Sequence, residues 1–195
     1  MKRSSGTALL MCLLMIAVVL LLGVSGAGIA LQGERAARND RDRKIALQAA
    51  EAALLDAQRD IEQAAGTPRG GLFGRAAPRF PAACGMGRAS MVLGLCDGLP
   101  AGPAWQRVDL ADDDAATTRT VAYGQFTGQR MQVGAATLPL RLPRYLIEAY
   151  ADRRAGAAAD LSGSARIYRI SALGFGAHDG TRVLLQAWYQ RTGLD

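Results

Sequence analysis

A chain of 195 residues that is 50% hydrophobic and 21% charged has enough apolar side chain for one folded domain plus a tail, which excludes a disordered or collagen-like polymer. Its net charge of +6 and pI near 9.7 come almost wholly from arginine, because Lys2 and Lys44 are the only lysines. The basic residues are interleaved with acids and form no uninterrupted run, so nucleic acid is not an expected partner. One histidine and three cysteines, one of them inside the apolar run, lack the ligand spacing of a zinc finger, and neither a P-loop, a G-x-S-x-G elbow nor a G-x-G-x-x-G turn is present. No catalytic residue, metal or cofactor is expected.

The first predicted element is apolar. Thr7 to Leu31 is 25 residues without a charge, preceded by Lys2 and Arg3. As an α-helix rising ~1.5 Å per residue it extends about 37 Å, more than the roughly 30 Å of a hydrocarbon core. A cleaved secretory signal is the rival reading, because Ser25-Gly26-Ala27 and Gly28-Ile29-Ala30 both look like A-x-A sites. Thr7 to Leu22 alone, however, already exceeds the apolar core of about 7 to 15 residues that such signals carry. Cys12 has the bulky Met11 before it and no apolar core upstream, which argues against a lipoprotein and for a small apolar residue in a membrane helix. Gly23, Gly26 and Gly28 mark where the rod is expected to bend or unwind.

Counted naively, Arg35, Arg38, Arg41, Arg43 and Lys44 outnumber Lys2 and Arg3 and place the C-terminal part in the cytoplasm. Two points oppose that orientation. Long domains translocate largely regardless of flanking charge, here partly neutralised by Glu34, Asp40 and Asp42, and the domain contains a cysteine pair.

Helical character continues from Glu34 to Ala65, with Leu47, Leu54 and Ile61 seven residues apart and Ala50, Ala57 and Ala64 three after each. This predicts one apolar stripe packed on the chain's own domain, with Gln48, Arg59 and Glu62 opposite. Gly66-Thr67-Pro68 ends it. Thr67 to Pro103 reads as loop and contains Cys84 and Cys96. Two alternatives stand for this pair: a disulfide made in an oxidising compartment, worth roughly 3 kcal/mol by loop closure, or two buried thiols. Asp109 and Asp112-Asp113-Asp114 lack the D-x-D-x-D-G order of a Ca²⁺ loop and read as a solvated acidic segment.

Strands are expected over Thr118 to Phe126, Arg144 to Tyr150, Ser164 to Leu173 and Thr181 to Arg191. The last two form a hairpin whose tip, Gly176 to Gly180, leaves His178 as an exposed turn residue. Trp105, Tyr145, Tyr168 and Trp188 are read as core positions rather than an adhesive patch. A hairpin alone is marginal in water, so a third strand and the end of the long helix must cover it. The expected fold class is α+β: a long N-terminal hydrophobic helix, a membrane span continuing into the domain, packed on a C-terminal antiparallel β-sheet.

A short basic leader ending in Gly6, an unbroken apolar run, GERAARNDRDRKIALQAAEAALLDAQ from Gly33 to Gln58 and a terminal YRISALGFGAHDGTRVLLQAWYQR resemble a PilX-type minor pilin of the type IV pilus system. The resemblance is dense over residues 2–62, looser from Pro143 to Arg191 and absent between. It implies a leader at 1–6, a transmembrane and assembly helix at 7–31, an amphipathic continuation at 32–65 and a pilin-like periplasmic or extracellular domain at 66–195. It further implies cleavage between Gly6 and Thr7 by a prepilin peptidase and N-methylation of Thr7, leaving 189 residues (195 minus 6). The fifth mature residue, Glu in major pilins, is Met11 here. The implied partners are the inner membrane, other minor pilins and the major pilin, met through the N-terminal helix. The implied function is priming of pili from a place at or near the tip; a tip-borne adhesion module and a K-type pseudopilin of type II secretion are the alternatives. The implied location is a single pass in the inner membrane, then the extracellular pilus.

Overall fold

The expected helix forms as α1, Ser5–Glu62, and the hydrogen-bonded helix continues through Gly23, Gly26 and Gly28 instead of unwinding there. The computed structural model describes residues 5–62, 69–74, 79–98, 102–134, 137–151 and 166–191. The chain divides into two units, Met1–Arg41 and Asp42–Asp195. In the first, the apolar side chains from Leu9 to Leu22 stand exposed along the helix, which is long and apolar enough to cross a membrane. Exposed hydrocarbon on this scale is not tolerated by a water-soluble monomer and calls for lipid or other helices as neighbours.

In the second unit, the head, strands β1 (Leu95–Asp97), β2 (Val121–Ala122), β3 (Arg144–Ala151), β4 (Arg166–Phe175) and β5 (Arg182–Gln190) make one five-stranded sheet. Its order is β1-β3-β4-β5, with β2 also paired to β3. β4 and β5 form the expected antiparallel hairpin and β3 is the third strand, antiparallel to β4, while β1 lies parallel to β3. β1 falls inside the stretch read as loop, because a strand of three residues is too short to show a period of two. Conversely, Thr118 to Phe126 yields only Val121–Ala122 as strand. The chain turns at once after it, at Gly124, whose φ of +77° suits glycine and whose Cβ would overlap the Gln129 carbonyl.

The helix buries a different face from the expected one. Ala46, Ala49, Ala50, Ala53, Ala57 and Ile61 are buried, whereas Leu47 is 37% exposed and Leu54 half-buried. Ala50, Ala57 and Ile61 were expected inside; Ala64 lies outside the described residues. The cause is Gly174 on β4. A Cβ built there would overlap the Ala46 carbonyl oxygen and lie 2.5 Å from the Ala50 nitrogen, so helix and strand backbones touch and only alanine fits between. Gln48, Arg59 and Glu62 are exposed as expected.

Beneath the helix, Ala53, Ala57 and Ile61 join Tyr145, Ile147, Tyr168, Ile170, Phe73 and Phe80 in one core cluster. The opposite face of the sheet is covered by the long connection from β1 to β3. That layer contributes Ala104 and Leu110, with the Cys84–Cys96 disulfide, over Leu146, Leu173 and Phe175. The head is therefore three layers: helix, sheet and disulfide-tied loop.

Candidate functional site

Gly6 and Thr7 lie in the first turn of α1, since the helix begins at Ser5. Met11, one turn further, is 67% exposed on an apolar surface shared with Leu10, Leu14 and Met15. Cys12 is a free, exposed thiol on the same helix. The first charged residues after the span are used locally, Arg38 pairing with Glu34 one turn before it.

The head shows how this helix is held. Positions 42, 56 and 60 are separated by 14 and 4 residues, close to whole helical turns, so three aspartates share the face that carries the buried alanines. Each reaches a different part of the sheet layer. Asp42 accepts from the Ala177 amide at 2.5 Å and the His178 amide at 3.3 Å, seizing the tip of the β4–β5 hairpin. Burial pushes its carboxyl up, but these bonds and one from Thr181 outweigh it and hold the group below its ordinary range. The His178 side chain is exposed as expected, yet its Nδ1 lies 3.3 Å from Asp42.

Asp56 accepts from the Gly124 amide at 2.7 Å and from Thr127, fixing the turn after β2. Burial raises its carboxyl despite these donors. Asp60 is buried against the Tyr145 hydroxyl at 3.1 Å and Arg69 at 3.5 Å. Arg69 itself is buried; it donates to the Leu93 carbonyl at 3.1 Å and lies over the Phe126 ring, 4.0 Å from its centre.

Burial pushes Asp60 up to about 6, against the pull of Arg69 and the Tyr145 hydrogen bond. A carboxyl whose folded value stands above its unfolded one near 3.8 takes up a proton on folding, so it subtracts stability as pH rises through that window. The gap of about two corresponds to ~3 kcal/mol. The stability difference between the wild type and Asp60→Asn is expected to move by about that much in favour of the variant between pH 4 and pH 7. Denaturant midpoints at the two pH values measure it, and a difference constant with pH would show that Asp60 ionises normally.

On the far face of the sheet, Glu148 is 0% exposed. It accepts from Arg169 Nε at 2.9 Å, Arg169 Nη2 at 2.7 Å, the Ala104 amide at 2.7 Å and Tyr150 at 3.2 Å. One carboxylate thus ties β3 to β4 and to the covering loop. Arg144 does similar work with Thr118 and Thr120, donating to their hydroxyls at 2.6 and 2.7 Å. Cys84 and Cys96 are bonded, which decides between the two readings of that pair. None of these buried charges was singled out by the sequence reading. A stripe drawn through alanines rather than leucines would have found the aspartates.

The acidic segment is occupied with its own backbone. Asp109, Asp112 and Asp114 accept amides two residues ahead, from Ala111, Asp114 and Ala116. Among the described residues no group of three or more His, Cys, Asp or Glu is placed to hold a metal. Tyr145 and Tyr168 are core residues and Trp105, in the loop layer, packs partly buried against the far-face cluster, but Trp188, expected inside, is 61% exposed. It lies in the last strand, beyond the reach of the loop layer.

This arrangement offers a long apolar helix for lateral packing and a head braced by buried ion pairs and a disulfide. Comparison with known families agrees with it. The family described as type IV pilus assembly protein PilX C-term matches residues 62–191, and the PilX N-terminal family matches residues 5–55. No curated protein and no solved structure matches the chain.

Proposed function

The chain belongs to the PilX family of type IV pilus assembly proteins and is a minor pilin, and we propose that it primes assembly of the pilus and sits at or near its tip. In this reading a prepilin peptidase removes residues 1–6, Thr7 becomes the methylated N-terminus, and residues 7–31 hold the subunit in the inner membrane with its head in the periplasm until assembly. The same helix then packs against the major pilin and other minor pilins. The leader, the span, the helical continuation to 65 and the chain from 66 onward are thus the functional divisions in this reading.

The observation that carries the proposal is the neutral, exposed Met11 in the fifth mature place. In major pilins a carboxylate there answers the terminal amine of a neighbouring subunit inside the apolar bundle. A subunit with methionine leaves that amine unpaired wherever one lies beside it, at a cost of several kcal/mol per contact. At the tip no such amine is waiting.

Processing tests this directly. Terminal sequencing of membrane-extracted protein is expected to read from Thr7, and Gly6→Val is expected to leave the leader attached and the subunit out of pili. A start at Gly28 or Leu31 would identify an ordinary signal peptide and contradict the proposal.

A further inference from the structure

Where the apolar run gives out, α1 continues without a break into a charged stretch, Glu34-Arg35-Ala36-Ala37-Arg38-Asn39-Asp40-Arg41-Asp42-Arg43-Lys44. It holds five basic and three acidic residues, and these are not equivalent. Glu34 is paired with Arg38, and Asp40 and Lys44 each have an interaction of their own. Asp42 is buried, its carboxylate committed to the Ala177 and His178 amides of the hairpin tip rather than to the arginines beside it. Arg35, Arg41 and Arg43 are left exposed, and among the described residues none of the three has a carboxylate partner.

Their placement selects the partner. At about 100° per residue, Arg35, Arg41 and Arg43 point to three sides of the helix axis, no two closer than about 80°. A neighbouring helix meets one face and is matched by a stripe, so only something that surrounds the helix meets all three. Along the axis Arg35 stands about 6 Å past Leu31, and Arg41 and Arg43 about 15 and 18 Å past it, at ~1.5 Å per residue. The headgroup layer outside the hydrocarbon is about 5–7 Å deep. Arg35 therefore falls among the headgroups. The other two stand about 8 and 11 Å above them, a gap that their long side chains shorten and that a Debye length of about 10 Å at 0.1 M salt leaves only partly screened.

We propose that these three arginines form a collar that binds anionic phospholipid headgroups on the side of the membrane that carries the head. The inference rests on the reading of residues 7–31 as a membrane span. Zwitterionic lipids present the same phosphate but balance it with an ammonium group, so the collar prefers lipids of net negative charge. Its effect is to fix the depth at which the span sits while the subunit waits for assembly.

The test takes the chain extracted from membranes in detergent, titrates it with phosphatidylglycerol or with phosphatidylcholine of the same acyl chains, and counts retained lipid by native mass spectrometry. The wild type is expected to prefer phosphatidylglycerol. Replacing Arg35, Arg41 and Arg43 together by Gln is expected to reduce that preference about tenfold, with Arg35→Gln the largest single loss and the matching Lys triple close to the wild type. Arg79, Arg107 and Arg130 are exposed in the head, and replacing these by Gln makes the same change in net charge but is expected to leave the preference unchanged. Because every substituted side chain is exposed, the unfolding midpoints are expected to stay near that of the wild type. No preference in the wild type, a preference that survives loss of the collar, or an equal loss in the head variant would overturn the proposal. So would a larger loss from Arg43→Gln than from Arg35→Gln, which contradicts the order in depth. Terminal sequencing of the same sample separates the two failures. A chain that begins at Thr7 and lacks the preference has no collar, whereas one that begins at Gly28 or Leu31 has no span.

Discussion

Gly174→Val is expected to destabilise the head by about 3 kcal/mol or more, the largest effect of any single apolar substitution in it. The added carbons would meet the Ala46 carbonyl and the Ala50 amide, which are backbone atoms and cannot rotate aside. Relief requires the helix to move off the sheet, and Ala53, Ala57 and Ile61 would lose their seats against Ile147, Tyr168 and Ile170 together. Gly180→Ala, at the tip of the same hairpin, meets nothing within 4 Å and is expected to change stability by at most about 0.5 kcal/mol. Denaturant midpoints for the pair measure the contrast. Equal midpoints would mean that the helix does not sit against Gly174.

Glu148→Ala is the second large effect, expected at about 3 kcal/mol, because it leaves the half-buried Arg169 guanidinium without its carboxylate and removes the acceptor for the Ala104 amide. The cost belongs to the broken pair rather than to the charges as such. Replacing both partners, Glu148→Leu with Arg169→Leu, is therefore expected to cost well under the sum of the single changes. Additive losses in a double-mutant cycle would show that the two groups act independently.

The parts of the molecule legible in the sequence are those where one physical signal has no competitor. Twenty-five uncharged residues in a row admit few readings other than a buried or membrane helix, and the alternation of Val183, Leu185, Ala187 and Tyr189 after a Gly-rich tip specifies a hairpin edge. The helix face was harder. Leucines seven residues apart outweigh alanines in any apolar count, yet the sheet selects small residues through one glycine more than a hundred residues later in the chain.

The buried aspartates were hidden for a related reason. On an isolated helix nothing marks Asp42, Asp56 and Asp60 for burial, and only the fold brings the Ala177 and Gly124 amides and Arg69 to them. Trp188 was misjudged in the opposite sense, because being in a strand says nothing about whether a covering layer reaches that strand. β1, three residues long, lies below what any periodicity resolves.

Whether this minor pilin starts filaments rather than filling them is decided by counting surface pili on cells from which the chain has been deleted while major-pilin level is followed in parallel. The expected result is a sharp loss of pili at an unchanged level of major pilin, restored by the wild-type chain and not by Gly6→Val. Normal piliation in the deletion would contradict it.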